Sequence, residues 1–288
     1  MGFVGFIKKR LSSSDPRKKL RKILKDFELP HFPKSVLFIL DGVRDPNVPT
    51  FEVARRVATD PGIHLRVLKT VNSAAFGLSK KVTNIEHAVA LLGRARLEAL
   101  ILPLAIQETL PRFQAPCLDQ KLFWLGAARR GSLARQIAQL LCPTTHVEAF
   151  SAGLLQDMAI PVIMHLKASI YCPNLESWNV EKDLHLDELE KKELGFDHQE
   201  VGKLMGEEWF LPEALVEAIS SHHRYFEGQN PGVYLASFIR YKKDPTESPE
   251  EELILEEAYT KFNLAKDTTR NVLYRAYKEA EDLAKIFI

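Results

Sequence analysis

Three kinds of side chain in this chain could do chemistry by type and spacing: scattered cysteines, a run of arginines, and a polar pair behind an apolar stretch. Cys117, Cys142 and Cys172 are odd in number, far apart and free of any C-x-x-C arrangement, which predicts neither a disulfide framework nor a zinc site. None stands beside an obvious basic partner that would make it a nucleophile, and Cys142, directly before Pro143, reads as a helix-end packing residue. Arg129 and Arg130, with Arg135 on the same stretch, have the planar donors that grip a phosphate two-pronged; the plainer reading is charge on the face of a long helix. Asn72 and Ser73 precede Ala74-Ala75-Phe76-Gly77 and read as a polar pair closing a helix, the alternative being contact with a small ligand from a loop held by rigid helices. No glycine-rich phosphate loop of the Walker or dinucleotide type is present, which argues against nucleotide hydrolysis by those routes and leaves a nucleotide open as a bound signal.

The elements that must position these residues read as helices throughout. Asp60-Pro61 is a cap followed by proline at a helix start, with His64, Val67, Leu68 and Val71 at helical spacing behind it. Thr83 with Glu86 forms a capping box, and Gly93 supplies a left-handed stop before a helix from Arg94 to about Gln107. Pro111 and Pro116 break the pattern ahead of a long helix from Gln120 to Leu141, which Pro143 ends. Thr145 with Glu148, Asp197 with Glu200, Pro212, and Ser248-Pro249 mark further starts, and Pro161 opens a helix rather than kinking one. The helix from Pro212 is expected to run to His222-His223, and the last twenty residues form an amphipathic helix. No sustained period-2 alternation appears, so the fold class is all-α. The chain divides into a basic extension (1–26), an N-terminal helical lobe (27–114) and a second helical lobe (115–288).

A 45% hydrophobic share and 27% charged share are ordinary for a globular chain, and a net charge of +1 argues against nucleic acid as a partner. The exception is local: Lys8, Lys9, Arg10, Arg17, Lys18, Lys19, Arg21, Lys22 and Lys25 face only Asp15 and Asp26. Beside Phe3, Phe6 and Ile7, such a segment (1–25) could make weak contact with an anionic membrane surface, at about 1 kcal/mol per basic residue. The plainer reading is a solvated helix leading into the fold. No apolar run is read as reaching the roughly 18 to 20 residues that a spanning helix needs, and the opening apolar stretch is followed, not preceded, by basic residues, the reverse of a secretory signal. A cytoplasmic location is expected.

Leu29-Pro-His-Phe-Pro-Lys-Ser-Val, Val57-Ala-Thr-Asp-Pro-Gly-Ile-His-Leu-Arg-Val-Leu-Lys-Thr-Val-Asn-Ser-Ala-Ala-Phe-Gly and Ile85-Glu-His-Ala-Val-Ala-Leu-Leu-Gly closely resemble the N-terminal half of HDOD domains. Phe123-Trp124, Ala152-Gly-Leu-Leu-Gln-Asp, Gly195-Phe-Asp-His-Gln-Glu-Val-Gly, Trp209-Phe-Leu-Pro and His222-His223 resemble its second half, which is related to the HD phosphohydrolases. Catalytic HD proteins hold divalent metals with a first histidine, a His-Asp pair, usually further histidines and a late aspartate. The resemblance puts the first ligand at Gly126, the His-Asp pair at Gln156-Asp157 and the late aspartate at Ser237, so three expected donors are replaced by groups that coordinate poorly or not at all. His198, His222 and His223 remain with Asp157, but adjacent histidines on a helix point about 100° apart, which predicts poor convergence on one ion. The survivors are expected to pair within the core and donate to backbone carbonyls.

The resemblance therefore implies a two-lobed helical fold with a degenerate metal site, no bound metal or other cofactor, and no catalytic residues. It implies a non-enzymatic module of bacterial signal transduction that binds a signalling protein in trans, or a nucleotide or other small ligand. The competing expectation is an HD-type metal-dependent phosphohydrolase working from a residual site.

Overall fold

The computed structural model describes residues 22, 29, 31–72, 81–244 and 249–287. The basic extension, Lys22 excepted, lies outside the described residues, as do Ser73 and Ser248. Four helices come first: α1 (Lys34–Arg44), α2 (Thr50–Ala58), α3 (Pro61–Val71) and α4 (Ile85–Thr109). A two-residue antiparallel hairpin, β1 (Gln114–Ala115) and β2 (Leu118–Asp119), leads into α5 (Gln120–Leu141). After a 3₁₀ turn at Pro143–Thr145 follow α6 (His146–Leu155), α7 (Ile160–Val180), α8 (Leu186–Leu194), α9 (His198–Glu208), α10 (Glu213–Ser221), α11 (Pro231–Ala236), α12 (Glu250–Phe262) and α13 (Lys266–Phe287). The fold is all-α, and one apolar core runs from Phe32 to Ala284.

Local chemistry sets most of these boundaries. The Asp60 carboxylate accepts from the Ile63 amide at 3.0 Å and starts α3, with Pro61 at its first position. Asp119 does the same for α5 through Leu122, and Asp197 for α9 through Glu200, each at 2.7 Å. Gly93 takes a φ of 67° and divides α4 into two helical stretches. Arg94, just past that break, gathers the carbonyls of Gly42, Val43, Asp45 and Val48, giving partners to the open end of α1. Two capping boxes expected from sequence are not formed. Asn84, not Thr83, caps α4, its side chain lying one residue closer to the first turn, and the Thr145 hydroxyl turns back to Cys142 O instead of capping α6.

Helix α5 is the central strut, with α6, α11 and α13 packed on it. Close approach of α6 needs Gly153: a Cβ there would lie 2.7 Å from both the Ala134 Cβ and the Arg130 carbonyl oxygen. Gly153→Ala should cost about 1–3 kcal/mol through overpacking, read as a lowered urea midpoint. An unchanged midpoint would mean that α5 and α6 can part without loss.

Two expectations are corrected by long-range packing. Cys117, in the hairpin, and Cys172, on α7, form a disulfide with Cα atoms 5.4 Å apart. Their separation of 55 residues has no recognisable spacing, so only the fold pairs them; Cys142 is the free cysteine. The stretch Pro143–Val180 is apolar and long enough to cross a membrane by composition, contrary to the sequence reading, but 89% of its most apolar window is buried inside the protein and the turn after Leu155 interrupts it.

Candidate functional site

Three backbone turns deliver the surviving donors to one place. Asp157 sits in the turn between α6 and α7, His198 is the first residue of α9, and α10 ends at Ser221. His222 still has helical backbone angles and His223 follows it in the turn, yet both rings reach His198, contrary to the poor convergence expected of adjacent histidines. His198 Nε2 lies 3.0 Å from the Nε2 atoms of both His222 and His223, and one donor nitrogen from each ring falls within 4.8 Å of the others.

The outer faces of two rings are held. His198 Nδ1 is 2.6 Å from Glu190 Oε2, and His222 Nδ1 is 2.8 Å from the Ile219 carbonyl. Each of these contacts needs a proton on Nδ1, which turns Nε2 inward as the donor atom, the orientation that carboxylate and carbonyl partners impose on metal-binding imidazoles. Glu190 is itself fixed by the Tyr171 hydroxyl at 2.5 Å and the His198 amide at 2.7 Å. The expected carbonyl partner for His198 is thus a carboxylate from α8, and His222 bonds a carbonyl of its own helix end.

Asp157 faces both ways. Its Oδ2 accepts from the Tyr241 hydroxyl at 2.7 Å and pairs with Arg130 at 3.0 Å. Oδ1 is buried 3.3 Å from His222 Nε2 and 3.5 Å from His198 Nε2, without a well-formed hydrogen bond.

The electrostatics follow from this crowding. Burial opposes the charge on His198, but Glu190, Asp157 and Asp197 outweigh it and raise its pKa to about 9. Burial lowers His222, and His198 adds to the effect; His223 falls well below the ordinary imidazole value through burial and its two histidine neighbours. Burial alone would raise Asp157, yet Arg130, His222 and His198 hold it well below the usual carboxylate range. One imidazolium, two neutral imidazoles and a carboxylate form a closed, self-consistent set.

Next to that set the cleft is filled. A Cβ at position 126 would lie 2.9 Å from two ring carbons of Tyr241 and 3.2 Å from an Arg130 nitrogen, so the ring occupies the space that the missing side chain would need. The Arg130 guanidinium lies 4.4 Å from the Tyr241 ring centroid and donates to Ile239 O at 2.6 Å. Ser237 is buried and donates to Tyr234 O at 2.8 Å, while the buried Gln156 amide makes no hydrogen bond. A two-ion centre does not fit Gly126, Gln156 and Ser237. The three histidine nitrogens could hold a single ion, with Asp157 Oδ1 within 3.5 Å of two of them, a set suited to zinc or iron.

The remaining candidates are occupied elsewhere. Arg129 is buried and donates to the carbonyls of Lys242 and Lys243 at 2.6 and 2.9 Å, so neither arginine of the pair is a solvated surface charge or free to grip phosphate. Asn72 gives its amide to Leu68 O and Val82 O and accepts from the Val82 amide, each at 2.7 Å, which ties the end of α3 to the chain before α4. Glu190 escaped sequence reading because Leu186-Asp-Glu-Leu-Glu-Lys-Lys-Glu-Leu looks like a solvated helix; its one signal is the i, i+4 spacing from the buried Leu186. Tyr241 carried no signal at all.

The family model for the HDOD domain matches residues 29–225. An uncharacterized protein of Treponema pallidum (strain Nichols) is 24% identical over 197 residues, 68% of this chain, and the match spans 38% of that relative's length. Among solved structures, an HDOD domain protein of unknown function from Geobacter sulfurreducens superposes with a TM-score of 0.62 at 22% identity, covering 94% of each chain. A protein of Shewanella amazonensis SB2B that carries a provisional phosphohydrolase name gives a TM-score of 0.71 at 20% identity, over 93% of this chain and 98% of the other. Those identities show a common fold, and the family match, over the same residues that build the histidine cluster, shows more: the chain belongs to the HDOD domain family.

Proposed function

We propose that this chain is a non-catalytic HDOD regulatory module that works in signal transduction by binding a protein partner in trans. The supporting observation is the internal ion pair of Arg130 with Asp157, roofed by Tyr241, which places a fixed protein cation against the carboxylate that an HD enzyme would turn to a metal. A buried guanidinium tied to Asp157 and Ile239 O supports that reading, because it engages Asp157 Oδ2 with a protein cation instead of an ion.

A second reading, an HD-type metal-dependent phosphohydrolase, is favoured by the convergence of His198, His222, His223 and Asp157 Oδ1. Those four side chains would hold the ion, which when bound supplies a Lewis acid and a source of hydroxide. Glu190 would keep His198 oriented, and Arg130 would anchor the far oxygen of Asp157.

Elemental analysis of purified protein, combined with bis-p-nitrophenyl phosphate turnover in added manganese, separates the two. The module reading expects turnover no faster than that of His222→Ala. Stoichiometric iron or manganese, with turnover abolished by Asp157→Asn, would establish the enzyme and end the module reading.

A further inference from the structure

A groove of about 670 Å³ opens where α4, α6 and α10 meet. Its walls are small and apolar at helical spacing: Ala95, Ala99 and Leu102 on α4, and Ala214 and Ala218 on α10. Residues i, i+4 and i+7 run about 10 Å along a helix, and alanines at those positions leave furrows that take the side-chain ridges of another helix.

Charge then selects the occupant. Glu98, Glu148, Glu217 and Glu227 line the groove, and among the described residues no lysine or arginine does. Such a rim repels phosphate-bearing ligands and suits a cationic partner. Glu98 already takes a guanidinium, pairing with Arg44 Nε at 2.7 Å, whereas Glu148, Glu217 and Glu227 form no ion pair among the described residues.

A second feature is tied to the groove through Arg44, which pairs with Glu98 and also donates to the Phe210 carbonyl at 3.4 Å. Phe210, two residues before the groove residue Pro212, has a φ of 52° and is 71% exposed. It occupies the left-handed position that closes α9, with Leu211 N bonded to Gly206 O at 2.9 Å and Phe210 N to Glu207 O at 3.2 Å, a position glycine fills without strain. A large aromatic there costs stability in the free chain and offers a ring to whatever docks beside it.

We infer that this groove receives a basic amphipathic helix of a partner protein, its apolar face on the alanine walls and its lysines or arginines on the glutamate rim. The inference rests on the binding-module reading and names the surface and partner chemistry that reading lacks. Ser221, in the groove wall, immediately precedes His222, so a docked helix would bear directly on the turn that holds the cluster.

The test uses the full chain and a fluorescein-labelled 18-residue peptide with leucine at i, i+3, i+4 and i+7 and lysine on the other face, with a glutamate counterpart as control. Anisotropy should show the lysine peptide binding and the glutamate peptide not. Glu148→Lys/Glu217→Lys and, separately, Ala218→Trp should each weaken binding at least tenfold with unchanged circular dichroism. Phe210→Gly should raise the melting temperature yet weaken binding, a combination that a merely structural role would not produce. Equal binding of both peptides, or variants that bind like the parent, would overturn the inference. So would weak parental binding that strengthens when Lys8, Lys9 and Arg10 become glutamine, since the chain's own amino-terminal segment would then be the occupant. Phosphoester turnover in the parent and groove variants alike would count against the module reading while leaving the peptide result standing.

Discussion

Arg130→Met is expected to lower the unfolding free energy by about 3–5 kcal/mol, because it strands the Asp157 carboxylate in a site sealed from water. Arg130 and Asp157 are both buried, and the surviving Tyr241 hydroxyl would be Asp157's remaining close donor on that side. The double variant Arg130→Met/Asp157→Asn removes the stranded charge and should recover most of the loss, so the two substitutions are strongly non-additive. Urea unfolding followed by circular dichroism measures both. If the single variant lost less than about 1 kcal/mol, Asp157 would be shedding its charge or finding another cation, and the Arg130–Asp157 pair would not be holding the fold together.

The second large effect is a fall in stability as pH rises. His198 has a folded pKa of about 9 against 6.5 for the free side chain, so the folded protein holds its proton more tightly than the unfolded chain does. The stabilisation from that proton is complete below about 6.5 and is lost as pH climbs through about 9, a span worth roughly 3 kcal/mol. His222 and His223 are lowered, so they act in the opposite sense and penalise the fold as pH drops below the ordinary imidazole range. In chelator, stability should therefore peak near neutrality and fall towards pH 9. Glu190→Gln removes the main counter-charge of His198 and should flatten the alkaline slope while costing stability at pH 7. A parent protein equally stable at pH 7 and pH 9 would show that His198 is neutral in the fold. On the enzyme reading alone, added zinc would reverse the trend, because a metal competes with the proton for Nε2 and binds better as pH rises.

Asp60 and Asp197 announced their helices, and Gly93 its break, because capping and left-handed backbone are settled by atoms a few residues apart. Histidine and aspartate identities likewise marked His198, His222, His223 and Asp157 as a candidate donor set, and Gly126, Gln156 and Ser237 as positions whose side chains coordinate poorly or not at all. The stop of α10 at Ser221 was not legible in the same way. Gln229 reaches back to Ser221 O at 2.9 Å and holds the turn from which His222 and His223 both reach His198.

The sequence by itself thus determined an all-helical chain of the HDOD family, the starts of most of its helices, and the poverty of its donor set for a two-ion centre. Only the tertiary structure decided that three imidazoles meet Asp157, that Glu190 turns one of them inward, that Arg129 and Arg130 lie inside rather than in solvent, and that Cys117 pairs with Cys172. The physical reason is range. Backbone and capping preferences act within a turn or so of helix, whereas burial, ion pairing and convergence depend on which distant faces the core brings together, here Arg130 with Asp157 and Asp157 with Tyr241, 84 positions further on.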